Sequence, residues 1–261
     1  MKQTSVTYDR VIGIGQYCAT AMYLQRHLLR TFSSPLDWLW GGDLPLTGYV
    51  DLIVSGFRGF LQKENLEPLG KMGVVYDDLR HDYYRDRGTR LISMHDFATG
   101  VPFDRSFAEE RAKYDRRIAR FLASVRTGRV LLVYQTRIDH PDDAAVADGL
   151  RRLRDRFGNP AIDLLVIEHV EGSAGLSETE PAAGARHVRG PVYNAALDAV
   201  LGDRRLCDSV YGAIRCRGRT MRRCRCVLVK QAVRLAGFLH FDPAARKAAR
   251  ERLKRRCPRW M

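Results

Sequence analysis

Arg129-Val-Leu-Leu-Val-Tyr-Gln135, then Pro141 to Phe157, then Ile162-Asp-Leu-Leu-Val-Ile-Glu168 is the stretch that decides the fold. Two short, nearly continuous apolar runs flank a segment with the polar–apolar spacing of a helix. Runs that are apolar on both faces suit strands buried on both sides, as in parallel sheets. Strand, helix and strand in that order predict parallel pairing, with the helix packed on the sheet.

Upstream, Asp9-Arg-Val-Ile-Gly-Ile-Gly15 reads as a short buried strand ending in glycines, and Gln16 to Arg30 as a helix. Ser33-Ser-Pro-Leu-Asp-Trp38 breaks that helix, because Pro35 restricts Ser34 and cannot continue it. A second helix is expected within residues 44–61, starting at Pro45. Residues 62–88 read as irregular, with one strand candidate at Gly73-Val-Val-Tyr76. Arg90-Leu-Ile-Ser-Met-His95 is another strand, delivering His95 at its end, and Ser106 to Val125 is a helix capped by Ser106. Residues 171–184 read as a loop or flap without regular structure. The expected class is α/β, a mostly parallel central sheet flanked by helices over residues 5–203. A basic helical appendage over residues 204–261 follows, with 226–240 as its most apolar helix.

The net charge of +14 is concentrated in that appendage. From Arg204 onward 18 Lys/Arg face three acids, so the segment carries +15 and the first 203 residues −1. A basic tail can meet an anionic membrane surface or an acidic partner, and a solvated helical face has the same composition. No feature specifies nucleic acid. The chain has no run of eighteen apolar residues and no secretory signal at its start, so the expectation is a cytoplasmic protein, at most peripheral to the inner face of the membrane. Of the six cysteines, Cys18 stands alone in the body, and the other five lie in the tail without the paired spacing of a zinc site. No metal and no cofactor are expected.

Cys18 follows a strand and a glycine turn and opens a helix. A helix N-terminus offers partial positive charge and free N–H groups to a thiolate or to an acyl oxyanion. His95 can reach it if both strands share a sheet edge. A free cysteine is as readily a small buried apolar residue, and a histidine at a strand end a structural one. Both readings stay open on the residues alone.

The segment Val11-Ile-Gly-Ile-Gly-Gln-Tyr-Cys18, with Leu24 and Arg26, then Ser34-Pro-Leu-Asp-Trp38, resembles the opening of the DUF1796 family of papain-like cysteine peptidases. His95-Asp-Phe97 and Lys113-Tyr-Asp-Arg-Arg-Ile-Ala-Arg-Phe121 extend the resemblance in order, over about residues 9–140 and more loosely to 200. Leu36 departs from the family's Phe. The resemblance implies Cys18 as nucleophile and His95 as base, acting on a peptide-like or other acyl bond. The residue that orients His95 is Asp139, which has the expected chain order, or Asp37, the acid of the family motif. Asp37 reads equally as a turn-forming residue beside Pro35. Gln16 is a candidate oxyanion donor, with Tyr17 and Trp38 as binding side chains beside it.

A strand running straight into the nucleophile is closer to the elbow of an esterase or acyltransferase than to a plain papain fold. A transferase for a sugar or nucleotide is a further α/β alternative. A non-catalytic binding protein anchored by its basic tail is the alternative outside enzymes. Gly13-Ile-Gly15 also resembles a dinucleotide turn, but its last glycine is replaced by Cys18 and no second strand ends in an acid at the proper distance.

Overall fold

The computed structural model describes residues 6–41, 43–70, 80–173, 175–191, 204–224, 226–228 and 231. In chain order, β1 (Thr7–Tyr8) and β2 (Arg10–Gly13) lead into α1 (Cys18–Arg26), followed by β3 (Leu39–Trp40) and α2 (Leu46–Val54). Then come β4 (Leu66–Pro68), β5 (His81–Asp86), β6 (Ile92–Ala98) and α3 (Phe103–Val125). The deciding stretch forms β7 (Val130–Thr136), α4 (Asp143–Phe157) and β8 (Ile162–Val170). The chain continues through β9 (Ser177–Ala182), β10 (Ala185–Pro191), α5 (Arg204–Ala213) and β11 (Arg215–Cys216).

The strand–helix–strand unit pairs in parallel as its composition predicts, with Val130 opposite Ile162. β7 is buried along its whole length. Alternation sends Val130, Leu132 and Tyr134 to one face of the sheet and Leu131 and Val133 to the other. α4 has clear ends. The Asp142 carboxylate accepts from the Ala145 N–H, and Gly158 takes the left-handed conformation just past the last turn. Helices α2, α3 and α4 cover the first face, and α1 and α5 cover the second, giving three layers.

Over all the described strands the pairing is mixed rather than mostly parallel, although four of the five strands in the sheet behind Cys18 run parallel. The order of that sheet is β2-β7-β8-β10-β9, and β9 runs antiparallel to β10 at the edge. A separate antiparallel sheet, β3-β6-β5-β4, lies beside it, so the architecture is mixed α/β. The flap expected over residues 171–184 supplies β9, a Ser-Glu-Thr-Glu-Pro-Ala strand with no buried residue. An exposed edge strand needs no apolar alternation and tolerates Pro181, which is why its composition reads as loop. β4 and β5 likewise arise within the stretch expected to be irregular, whereas the strand candidate at residues 73–76 lies outside the described residues.

α1 stops at Arg26 rather than Arg30, because Leu28 adopts a left-handed φ of 59° and the N–H groups of Leu28 and Leu29 turn back onto Gln25 and Leu24. α3 begins at Phe103, so Ser106 lies inside it rather than capping it. The tail is described only in part, and most of residues 226–240 lies outside the described residues. Its first turns pack tightly: Leu206, Cys207, Val210 and Tyr211 are buried against α1, Tyr211 stacks on Tyr23 at 5.4 Å, and β11 pairs with β1. Among the described residues no helix is long and apolar enough to cross a membrane.

Gly15 shows how closely the first loop approaches the sheet. A Cβ there would lie 2.6 Å from the Gln135 backbone nitrogen and 3.0 Å from its oxygen. Backbone cannot yield as a flexible side chain does, so Gly15→Ala is expected to cost about 1–3 kcal/mol. A lower urea midpoint with an unchanged slope is the expected readout, and an unchanged midpoint refutes the close approach.

Candidate functional site

Parallel α/β sheets bind ligands at the carboxyl ends of their strands, where neighbouring connections leave to opposite faces. That condition holds between β2 and β7. The loop after β2 feeds α1 on one face, and the loop after β7 feeds α4 on the other. The two loops are tied together at their base. The Thr136 hydroxyl donates to Gln16 Oε1 at 2.8 Å and accepts from the Asp139 N–H at 3.0 Å.

Cys18 is the first residue of α1, preceded by Tyr17 in extended conformation. Burial pushes its thiol above the ordinary value, and the backbone N–H groups of Cys18 and Ala19 only partly offset this. The helix start therefore does not ionise the thiol by itself. Desolvation outweighs two N–H dipoles. No side chain hydrogen-bonds the sulfur among the described residues.

Gln16 is fully buried, and its amide bridges the loop, donating from Nε2 to the Leu44 carbonyl at 3.2 Å while accepting from Thr136. Its own carbonyl accepts from the Gly41 N–H at 2.8 Å, which attaches the end of β3 to the cysteine loop. Tyr17 lies 6.3 Å from Trp40, ring to ring, and burial raises its phenol. Trp38 carries the Arg30 guanidinium over its face at 5.6 Å.

Asp139 sits at the same edge as Cys18. Its carboxylate accepts from the Leu46 N–H at 2.7 Å and from the Tyr134 hydroxyl at 2.9 Å, so it caps α2 from a distant part of the chain. Asp37 is buried, and one of its oxygens accepts from Arg30 Nε at 2.9 Å, Arg30 Nη2 at 2.6 Å and the Ser34 N–H at 2.9 Å. Burial pushes the Asp37 carboxyl up, against the pull of the Arg30 guanidinium.

His95 is carried by β6, in the antiparallel sheet, and not at the strand's end. Ser93 faces Tyr84 while Phe97 faces Asp82, so Met94, His95 and Asp96 bulge opposite Tyr83 alone. A bulge re-aims side chains, so simple alternation does not apply to His95 and Asp96. The His95 ring lies 6.4 Å from that of His81. Asp96 turns to α3, taking Lys113 at 2.6 Å and the Tyr114 hydroxyl at 2.8 Å. Burial raises its carboxyl, but Lys113, Ser93 and Tyr114 more than offset this and hold it low. Cys18 and His95 are not hydrogen-bonded, and neither Asp37 nor Asp139 bonds His95. The structure thus gathers Gln16, Tyr17, Cys18 and Asp139 at one edge, while His95 and Asp37 belong to neighbouring segments.

A second polar group, not singled out in the sequence, closes the same edge over β8 and β10. Glu168 accepts from His140 Nδ1 at 2.6 Å on one oxygen, and from His187 Nε2 at 2.9 Å and Arg189 Nε at 3.1 Å on the other. Burial raises the Glu168 carboxyl, yet the hydrogen bonds from His187 and His140 prevail and hold it below the usual range. The available signal was a polar residue ending each buried strand, namely Asp139-His140 after β7 and Glu168 in β8. On the opposite face Cys207 Sγ, on α5, lies 3.8 Å from His169 Nε2, but both residues are buried between that helix and the sheet. Among the described residues no three His, Cys, Asp or Glu side chains are arranged to hold a metal ion.

The family described as "Putative papain-like cysteine peptidase (DUF1796)" matches residues 9–154, more than half of the chain. No curated protein and no solved structure matches it.

Proposed function

Because this chain belongs to the DUF1796 family, we propose that it is a cysteine-dependent hydrolase acting on a peptide-like or related acyl bond, with Cys18 as nucleophile. The observation that carries this reading is the position of Cys18 at the carboxyl end of β2, first in α1, with two backbone N–H groups at its sulfur. The thiol gives its proton to an imidazole as sulfur bonds the acyl carbon and the carbonyl π pair moves onto oxygen. In this reading the N–H groups of the helix start hold that oxyanion. Its collapse expels the leaving group, which takes the proton from the imidazolium. Water then attacks the thioester in the same way, releasing the acid and restoring the thiol. The order of the family motifs makes His95 one candidate for that imidazole, and the β6 bulge supports a re-aimed side chain there.

The parallel sheet behind Cys18 favours a second reading within the same chemistry. A strand that runs through a glycine-containing bend into the helix opened by Cys18 resembles a nucleophile elbow, so an ester or thioester is as fitting a substrate as an amide. A panel of activated esters and short peptides, followed by mass mapping of acylated cysteines, tests both. The expected result is acylation of Cys18 ahead of the exposed Cys224, with release of the acyl group. Acylation of Cys224 first, without turnover, removes the reading.

A further inference from the structure

We propose that the imidazole of His140, oriented by Glu168, takes the proton from Cys18 and returns it to the leaving group, an inference that rests on the hydrolase reading above. The argument begins with strand order. β2, β7 and β8 are consecutive and parallel, so Cys18 beyond β2, His140 beyond β7 and Glu168 in β8 occupy neighbouring strand ends. Gly13 stands opposite Val133, and the Gln16–Thr136 hydrogen bond continues that register past the last paired residues. Adjacent strands are about 4.8 Å apart, so the two loops rise side by side from one level. They flank the crevice where α1 and α4 part to opposite faces.

The chemistry of the pair follows from its donors. Glu168 is 4% exposed and held ionised, so it only accepts. His140 must therefore donate from Nδ1, which leaves its lone pair on Nε2. The His140 side chain is 57% exposed, and Nε2 has no partner among the described residues. His187, fully buried, donates to Glu168 from Nε2 by the same logic, and its Nδ1 lies 3.1 Å from Asp143 Oδ1 and 2.8 Å from Arg189 Nη2. Arg189 Nη2 also reaches Asp143 at 2.8 Å, and Thr179 donates to that carboxylate at 3.1 Å. The carboxylate behind His140 is thus fixed from β10 and α4, as an orienting carboxylate must be. By contrast, Asp37 and Asp139 are occupied by Arg30 and by the start of α2. Nε2 and the Cys18 sulfur are not hydrogen-bonded in the free protein, and such contacts commonly tighten only with substrate in place.

The test is the rate of Cys18 acylation by p-nitrophenyl acetate from pH 5 to 9, measured for the intact chain, for His140→Gln, His95→Gln and Glu168→Gln, and for Glu168→Gln combined with His140→Gln. The charged groups facing His140 and its partner are Glu168 on β8, His187 and Arg189 on β10 and Asp143 on α4. His140→Gln is expected to slow Cys18 acylation about 10²–10⁴-fold and to remove the rising limb of the profile. Glu168→Gln is expected to slow Cys18 acylation about 10-fold in the intact chain and to add nothing in a His140→Gln background, because it acts only through that imidazole. A merely structural glutamate would slow both alike. If Glu168→Gln does not fold, the exposed His140→Gln variant decides alone. Wild-type rates in His140→Gln, or the large loss in His95→Gln instead, overturn the assignment while leaving Cys18 as nucleophile. Cys18 acylating no faster than Cys224 in the unmodified chain overturns both.

Discussion

Cys18→Ala is expected to abolish acyl turnover, by about 10³-fold or more, while the protein stays folded. In the proposed mechanism Cys18 forms the covalent intermediate, and loss of a covalent nucleophile typically leaves only the residual rate of binding and oxyanion stabilisation. Cys18→Ser is expected to be nearly as inactive, since a hydroxyl in the same half-buried position is a far weaker acid than a thiol. The sulfur makes no side-chain hydrogen bond, so the stability cost of the alanine variant should stay within about 1.5 kcal/mol. Steady-state hydrolysis of the best substrate in the panel, with thermal unfolding as the fold control, checks both halves. Residual turnover above a tenth of the unmodified chain would show that another group does the chemistry. The nearest rival is Cys207 beside His169. It is 0% exposed and faces the core between α5 and the sheet, out of a substrate's reach.

Asp37→Ala is expected to be the most destabilising substitution near the site, costing about 3–5 kcal/mol. Removing the carboxylate leaves the Arg30 guanidinium, with 15% of its side chain exposed, beside an unfilled and uncompensated space. The Ser34 N–H loses its acceptor as well, so the turn that ends the α1 connection loosens. Replacing both partners, as in Arg30→Met with Asp37→Leu, should recover much of that loss, because no charge is then stranded. Urea unfolding of the single and double variants makes the comparison. A loss below about 1 kcal/mol for Asp37→Ala would mean that the pair is solvated and that the carboxylate is free for another role. The outcome also bears on the motif reading of Asp37. A large stability cost with unchanged Cys18 acylation in the folded fraction fits a carboxylate that shapes the loop.

Local pattern carried some elements and not others. β7 and β8 were legible because they are apolar and buried along nearly their whole length, and α4 because it buries one face and has recognisable caps in Asp142 and Gly158. β9 was not, since an edge strand with solvent on most of its surface obeys no apolar period. The position of His95 was misread by three residues of strand, because Asp96-Phe-Ala98 continues β6 through a bulge whose partner, Tyr83, lies in a segment without apolar alternation.

The sequence by itself determined the parallel strand–helix–strand unit, the placement of Cys18 between a glycine turn and a helix start, and the family to which residues 9–154 belong. These are properties of short contiguous runs, in which side-chain period, glycines and motif order are written residue by residue. Only the tertiary structure decided what the polar residues at the strand ends do. Asp139 caps a helix 93 residues away, Glu168 holds a histidine 28 residues upstream, and burial raises the thiol of Cys18. Hydrogen bonds and desolvation depend on which groups folding brings within about 3 Å, and no local spacing encodes that distance.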